Sequence, residues 1–292
     1  MVDLINFLTD PDYWTWTALI LGLLVGSFLN VVIYRMPVMM EREWKKECRL
    51  LLDPEAETEK QERFNLIVPA SRCPKCKRGI RPWENIPVIS YLLLRGKCAG
   101  CKNPISIRYP IIELASGLLA LLSAIVYGPG ITSFLVCILC WMLLVMTMID
   151  IDHQLLPDNL TLPLMWLGLL ANTSGLFTTL EDAVFGAMAG YLSLWSVYWL
   201  FKLVTGKEGM GYGDFKLLAA LGAWMGWQFL PLIILLSSLV GAILGIAMTV
   251  IRGRDKNIPI PFGPYLAMAG LVALFFGDPL IQSYLRMTVV GY

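Results

Sequence analysis

Uncharged apolar runs of bilayer length recur along the chain and set its elements. A crossing takes about 20 predominantly apolar residues. Such runs read as helices over residues 14–34, 109–127, 131–149, 159–180 and 183–201. Leu217 to Ile251 is also uncharged, and as one helix would be about 52 Å long at 1.5 Å per residue. That exceeds one crossing, so Gln228 and Pro231 mark a turn that divides it in two. Residues 257–277 form the last run. The pattern predicts an all-α polytopic membrane protein of about eight transmembrane helices. It has three parts: residues 1–34 (tail and first helix), a polar insert over 35–108, and a core of about seven helices over 109–292. No internal repeat stands out.

Charge sorts these runs to the two sides of a membrane. Sixteen of the 23 Lys and Arg fall between Arg35 and Arg108. The first 34 residues hold Asp3, Asp10 and Asp12 and no basic residue, which places the N-terminus outside by the positive-inside rule. Eight alternating spans then leave 22 basic residues inside and only Arg286 outside, with both termini periplasmic. The composition agrees: 57% hydrophobic and 15% charged, against roughly 25% charged in an ordinary soluble chain. A net charge of +1 supplies no broad basic field, which excludes nucleic acid as a partner. A single histidine, His153, excludes any site that needs two.

Within the insert, Cys73-Pro-Lys-Cys76 and Cys98-Ala-Gly-Cys101 are two C-x2-C pairs separated by 21 residues. Each forms a knuckle, and together they offer four thiolates to a tetrahedral zinc. Gly96 and Gly100 offer the tight turns, and the surrounding lysines and Arg78 offset the charge. Four thiolates close the coordination sphere, so the zinc is structural and holds together an insert with little apolar core. Unpaired or redox cysteines are the alternative reading. Cys48, Cys137 and Cys140 lie outside the pattern.

Two acidic clusters border the apolar runs. One is Asp150-Ile-Asp152-His153 continuing through Pro157-Asp158; the other is Gly211-Tyr-Gly213-Asp214-Phe-Lys216. Ionisable groups at membrane depth are costly and point to function. The topology puts both clusters at the same inner boundary, where two aspartates can face each other and share a proton. Such a pair activates water with one member and polarises a carbonyl with the other, without histidine or metal. Glycines beside Asp214 let an extended peptide approach closely. On residue chemistry alone, interfacial helix caps and a proton-coupled transporter using boundary aspartates remain alternatives, although a transporter favours inverted repeats and charges at the midplane.

Taken in order, these elements resemble the bacterial type IV prepilin peptidases, GxGD aspartic peptidases of the membrane. The resemblance rests on Gly211-Tyr-Gly213-Asp214-Phe-Lys216, Gly26-Ser-Phe-Leu-Asn30 through Arg35, and the paired cysteines. It extends to Arg108-Tyr-Pro110 with Glu113, the block from Asp150 to Asp158, and Pro261-Phe-Gly-Pro264. It implies an enzyme of the bacterial inner membrane that cuts the short basic leader from type IV prepilins and type II secretion pseudopilins at the cytosolic boundary. Asp150 and Asp214 are then catalytic, with Gly211, Gly213, Lys216, Asp152 and Asp158 in support. The zinc-bearing insert implies the bifunctional form, which N-methylates the new N-terminus with S-adenosylmethionine. No soluble segment is long enough for a Rossmann-type domain, so Asn30, Arg35 and Glu113, polar groups near or within apolar spans, are the candidates for the cofactor site. Besides prepilins and pseudopilins, the expected partner is membrane lipid. The basic insert would not attract a basic leader; its acidic stretch with Asp53, Glu55, Glu57 and Glu59 is the one local source of attraction.

Overall fold

A computed structural model describes residues 11–53, 63–252 and 261–289. Asp3, Asp10, Glu55, Glu57, Glu59 and both chain termini lie outside the described residues. Nine α-helices occur among them: α1 (Pro11–Leu52), α2 (Ile89–Leu93), α3 (Arg108–Tyr127), α4 (Ile131–His153), α5 (Asp158–Asn172), α6 (Leu180–Thr205), α7 (Tyr212–Met225), α8 (Leu230–Arg252) and α9 (Gly263–Val289). No strand longer than an isolated bridge occurs among the described residues. The chain is a multi-pass membrane protein: α1, α3, α4, α6, α8 and α9 are long and apolar enough to cross a bilayer. The other two predicted spans appear as α5 and α7, of 15 and 14 residues. These are about 22 and 21 Å long, short of the ~30 Å hydrocarbon layer.

Several helices outrun their apolar stretches by a few residues, and three boundaries differ in ways that bear on the fold. The first helix does not stop near Tyr34 but continues through Pro37 to Leu52, because the charged run keeps helical spacing, as in the Glu41–Lys45 pair. The fourth run, expected to reach Leu180, ends at Asn172, whose side chain stops the helix. Its Oδ1 accepts the N–H groups of Phe177 and Thr178 at 3.1 Å. The last helix starts at Gly263 rather than Asn257. The division of the long run holds: Gly226 at φ +85° ends α7, and a 3-10 turn over Trp227–Phe229 leads into α8.

Residues 1–145 and 146–292 form two compact units. In the first, α1 packs along α3. A Cβ on Gly22 would meet Ala120 at 2.7 Å and one on Gly26 would meet the Glu113 backbone at 2.7 Å. This small-residue spacing lets the two backbones touch. In the second unit the same device joins α6 to α7, where Gly186 lies against the backbone of Gly222 and Gly190 against Leu218. Helix α7 is the core of that unit, buried from Asp214 to Met225 except at Lys216. Its far end is fixed by Asn172, which donates to the carbonyls of Ala223 and Trp224 at 2.9 and 3.1 Å. The Trp224 indole donates to Leu164 of α5 at 2.8 Å.

Candidate active site and cysteine cluster

Asp150 lies in the last turn of α4. Gln154, in the left-handed region at φ +55°, ends the helix by donating to the Asp150 carbonyl at 2.9 Å. The chain then runs through Leu155 to Pro157, and Asp158 opens α5. Asp214 is the third residue of α7, with Gly211 in the N-cap position. Both aspartates are nearly enclosed, 5% and 7% exposed, and they interact electrostatically. The neighbouring Asp152 is exposed.

Gly263, the first residue of α9, donates its N–H to Asp150 Oδ2 at 3.0 Å. The orphan N–H groups and dipole at a helix N-terminus hold a carboxylate well. Glycine is needed at this position, since a Cβ would stand 2.6 Å from the same oxygen. Leu156 fills the space between Gly263 and Gly213. A Cβ on Gly213 would meet it at 2.6 Å and one on Gly263 at 3.1 Å. The Gly211 N–H lies within hydrogen-bonding reach of the Asp214 carboxylate, whereas Asp214 Oδ1 is buried without a partner among the described residues. Lys216 reaches Asp158 at 2.6 and 2.8 Å, tying the start of α7 to the start of α5. Six of the seven acidic, glycine and lysine residues singled out in the sequence therefore come to one region: Asp150, Gly211, Gly213, Asp214, and the linked pair Lys216 and Asp158. The backbone donor of Gly263 was not foreseen. Its signal was the Pro261-Phe-Gly-Pro264 run, which marks a helix start after a turn.

The four cysteines of the insert converge, with all Sγ atoms within 4.8 Å of one another. Cys73 and Cys101 Sγ stand 3.8 Å apart. A tetrahedral zinc with Zn–S of ~2.3 Å requires sulfur–sulfur edges of about 3.8 Å, so the donor set fits the metal. The two knuckles are the same structure repeated at an offset of 25 residues, an internal repeat that the sequence reading passed over. Cys73 N–H donates to Arg78 and Ile80 N–H to Ser71, both at 2.9 Å. Equivalently, Cys98 N–H donates to Asn103 at 2.8 Å and Ile105 N–H to Gly96 at 2.7 Å. The left-handed turn residues are Lys77 and Lys102, each at φ +59°, rather than the expected Gly100. Gly96, at φ +65°, turns the chain before its knuckle. Backbone N–H groups of Cys76 and Lys75 aim at Cys73 and bring its thiol down to about 6. Those of Cys101 and Gly100 lower Cys98 in the same way. In each knuckle the backbone thus favours the thiolate form of the first sulfur. Cys48 is exposed on α1, and Cys137 and Cys140 are buried in α4.

Asn30, Arg35 and Glu113 also come to one region, and each is engaged within the chain. Asn30 donates to the carbonyls of Gly26 and Tyr109, both at 3.2 Å. Arg35 donates to Asn65 at 2.8 Å and Pro69 at 2.5 Å. Glu113 Oε2 accepts the N–H of Val88 at 2.7 Å. Val88 stands at φ +60° in a γ-turn closed by Ile89 N–H on Pro87. For a β-branched residue that conformation needs outside support, and the buried carboxylate supplies it. These residues join the insert to α1 and α3. Each of the three thus has a structural part in that junction, with further donors on Arg35 and the second oxygen of Glu113 beyond the bonds named.

Comparison with known proteins adds the following. Residues 20–127 match the model of the bacterial peptidase A24 N-terminal domain, and residues 137–246 that of the type IV leader peptidase family. A protein of Stutzerimonas stutzeri is 60% identical over 278 residues, covering 95% of this chain and 96% of its own length. One of Pseudomonas aeruginosa is 59% identical over 286 residues, with 98% of each chain covered. One of Aeromonas hydrophila is 55% identical, covering 93% and 94%. Each bears the name prepilin leader peptidase/N-methyltransferase. No solved structure matches the chain.

Proposed function

Because the chain belongs to the type IV leader peptidase family, we propose that it removes the basic leader from type IV prepilins and type II pseudopilins and then N-methylates the new N-terminus. The observation that carries the peptidase reading is the convergence of two enclosed aspartates, 64 residues apart in sequence, with the backbones of Gly211 and Gly263 close to their carboxylates. Asp150 and Asp214 are the catalytic pair. They hold one proton between them, because two facing carboxylates do not both ionise readily. The ionised member takes a proton from water, whose oxygen attacks the scissile carbonyl. The protonated member hydrogen-bonds that carbonyl oxygen and then protonates the leaving amine as the C–N bond breaks. The proton taken from water restores the starting state. Gly263 orients Asp150, and Gly211 and Gly213 keep Cβ atoms away from the peptide path. Lys216 and Asp158 fix the two helix starts that flank it, and the exposed Asp152 has a supporting place at the rim.

This membrane protein belongs to the bacterial inner membrane, with the aspartate pair at the cytosolic boundary and both termini in the periplasm. Cys73, Cys76, Cys98 and Cys101 hold a structural zinc, which braces the insert and takes no part in the cut. S-adenosylmethionine supplies the methyl group. That second activity rests on family membership, and Asn30, Arg35 and Glu113, gathered where the insert meets the first and third helices, are the candidates for its cofactor site. The relatives' names set aside a proton-coupled transporter. In proteoliposomes with a purified prepilin, Asp150→Asn and Asp214→Asn each leave the leader attached, read as an unchanged substrate mass. Normal cleavage by either variant would overturn the assignment.

A further inference from the structure

The segment from Trp83 to Leu93 is built inside out for a domain in water. Its fully buried polar side chain is Ser90, which donates to the Trp83 carbonyl at 2.7 Å and accepts the Ile86 N–H at 3.0 Å, while Glu84 is half-buried and Asn85 exposed. Its apolar side chains are outside: Trp83, Ile86, Ile89, Leu92 and Leu93 are all exposed, the last two at 67% and 78%. A contiguous exposed apolar patch of this kind marks a contact surface. Exposed Arg81, Arg95 and Lys97 flank it in the sequence, with Arg81 stacked on the Trp83 ring at 5.5 Å.

Depth identifies the occupant. The segment hangs from Glu113 through the Val88 N–H. Glu113 lies about 7.5 Å into α3, counted from Arg108 at 1.5 Å per residue. Helix α3 is long and apolar enough to cross a membrane, and its own exposed stripe of Ile107, Ile111, Leu114 and Leu118 starts at the same level. Tryptophan, leucine and basic residues in one short amphipathic element suit the lipid headgroup layer, where rings and cations are both accommodated. We infer that the Trp83–Leu93 segment docks into the interface of the bilayer, with Arg81, Arg95 and Lys97 on the phosphates of anionic phospholipids. The insert is thus a membrane-seated element, and its basic charge, unsuited to a basic leader, serves the lipid surface. The inference is independent of the peptidase reading.

A photoreactive phenylalanine analogue placed at Leu93 in the full-length protein, in nanodiscs of phosphatidylglycerol and phosphatidylethanolamine, tests it. Mass spectrometry should find phospholipid joined to that peptide and none when the analogue replaces Lys75 on the knuckle. The yield should fall several-fold in phosphatidylcholine discs and in an Arg81→Gln, Arg95→Gln, Lys97→Gln variant, with zinc content showing the insert intact. Absence of lipid adducts at Leu93, adducts to a second copy of the chain, or equal labelling at Lys75 would overturn the docking. Equal yields in the two lipid mixtures would overturn the role of the basic residues.

Discussion

Glu113 and Asp214 are both carboxylates enclosed by apolar helices, 8% and 7% exposed, yet they are treated in opposite ways. Glu113 is occupied: it accepts the Val88 N–H and interacts with Ser27. Asp214 has the Gly211 N–H within reach but keeps one oxygen buried and without a partner among the described residues, and it interacts with a second acid. Burial of a polar group is costly unless hydrogen bonds compensate. A satisfied buried acid holds structure together, and an unsatisfied one beside another acid is held ready for chemistry.

The sharpest way to break this contrast is to neutralise both acids. Asp214→Asn should abolish leader cleavage, a loss of about 10³-fold or more for an acid–base group, with thermal stability unchanged or raised because the buried charge is gone. Glu113→Ala should do the reverse: cleavage within a few-fold of normal, and a stability loss of about 1–3 kcal/mol for an unsupported Val88 N–H, read by thermal denaturation. If Glu113→Ala kills the peptidase and Asp214→Asn mainly unfolds it, the contrast fails. Gly263→Ala comes next. Its added methyl meets Asp150 Oδ2, and a displacement of that size should lower kcat by about 10²-fold with KM little changed in steady-state assays.

Two further variants sharpen the contrast at lower cost. Cys73→Ser should release the metal and expose the insert to limited proteolysis, because binding and folding of such a module are coupled. Metal analysis of the purified protein checks this, and zinc retained at the parental level would count against the four-sulfur site. Lys216→Met removes an ion pair whose side chains are 27% and 54% exposed. Pairs this open contribute about 0–1 kcal/mol, so the melting temperature should barely move. Cleavage should drop only a few-fold, as the two helix starts lose their tie.

Much of this was legible in the sequence, and the failures have physical causes. Apolar runs located every long helix, since a bilayer imposes its thickness on them. The cysteine spacing gave the metal cluster, because a knuckle needs its two sulfurs three residues apart. The end of α5 was missed because Thr173 to Thr179 carries no charge and prolongs the apolar run. The stop is set instead by Asn172, which binds the chain after it. The Gly263 donor was missed because the Pro261-Phe-Gly-Pro264 run marks a helix start but does not say which side chain its main-chain N–H will meet. The repeated knuckles escaped because few side chains recur at the 25-residue offset beyond Cys73/Cys98, Cys76/Cys101, Lys77/Lys102 and Ile80/Ile105, while the hydrogen bonds recur in full.

The continuity of α1 has a mechanical consequence. Its 42 residues make a rod of about 63 Å, roughly twice the hydrocarbon thickness. From Arg35 onward it stands as a mast whose tip, Leu52, is about 26 Å away at the same rise. The foot of that mast is clamped, with Arg35 holding Asn65 and Pro69 and Arg42 stacking on Phe64 at 4.3 Å. Proline in a helix is a natural bending point. The two clamps lie on either side of Pro37 and grip one stretch, residues 64–69, so they splint the mast across its weakest joint.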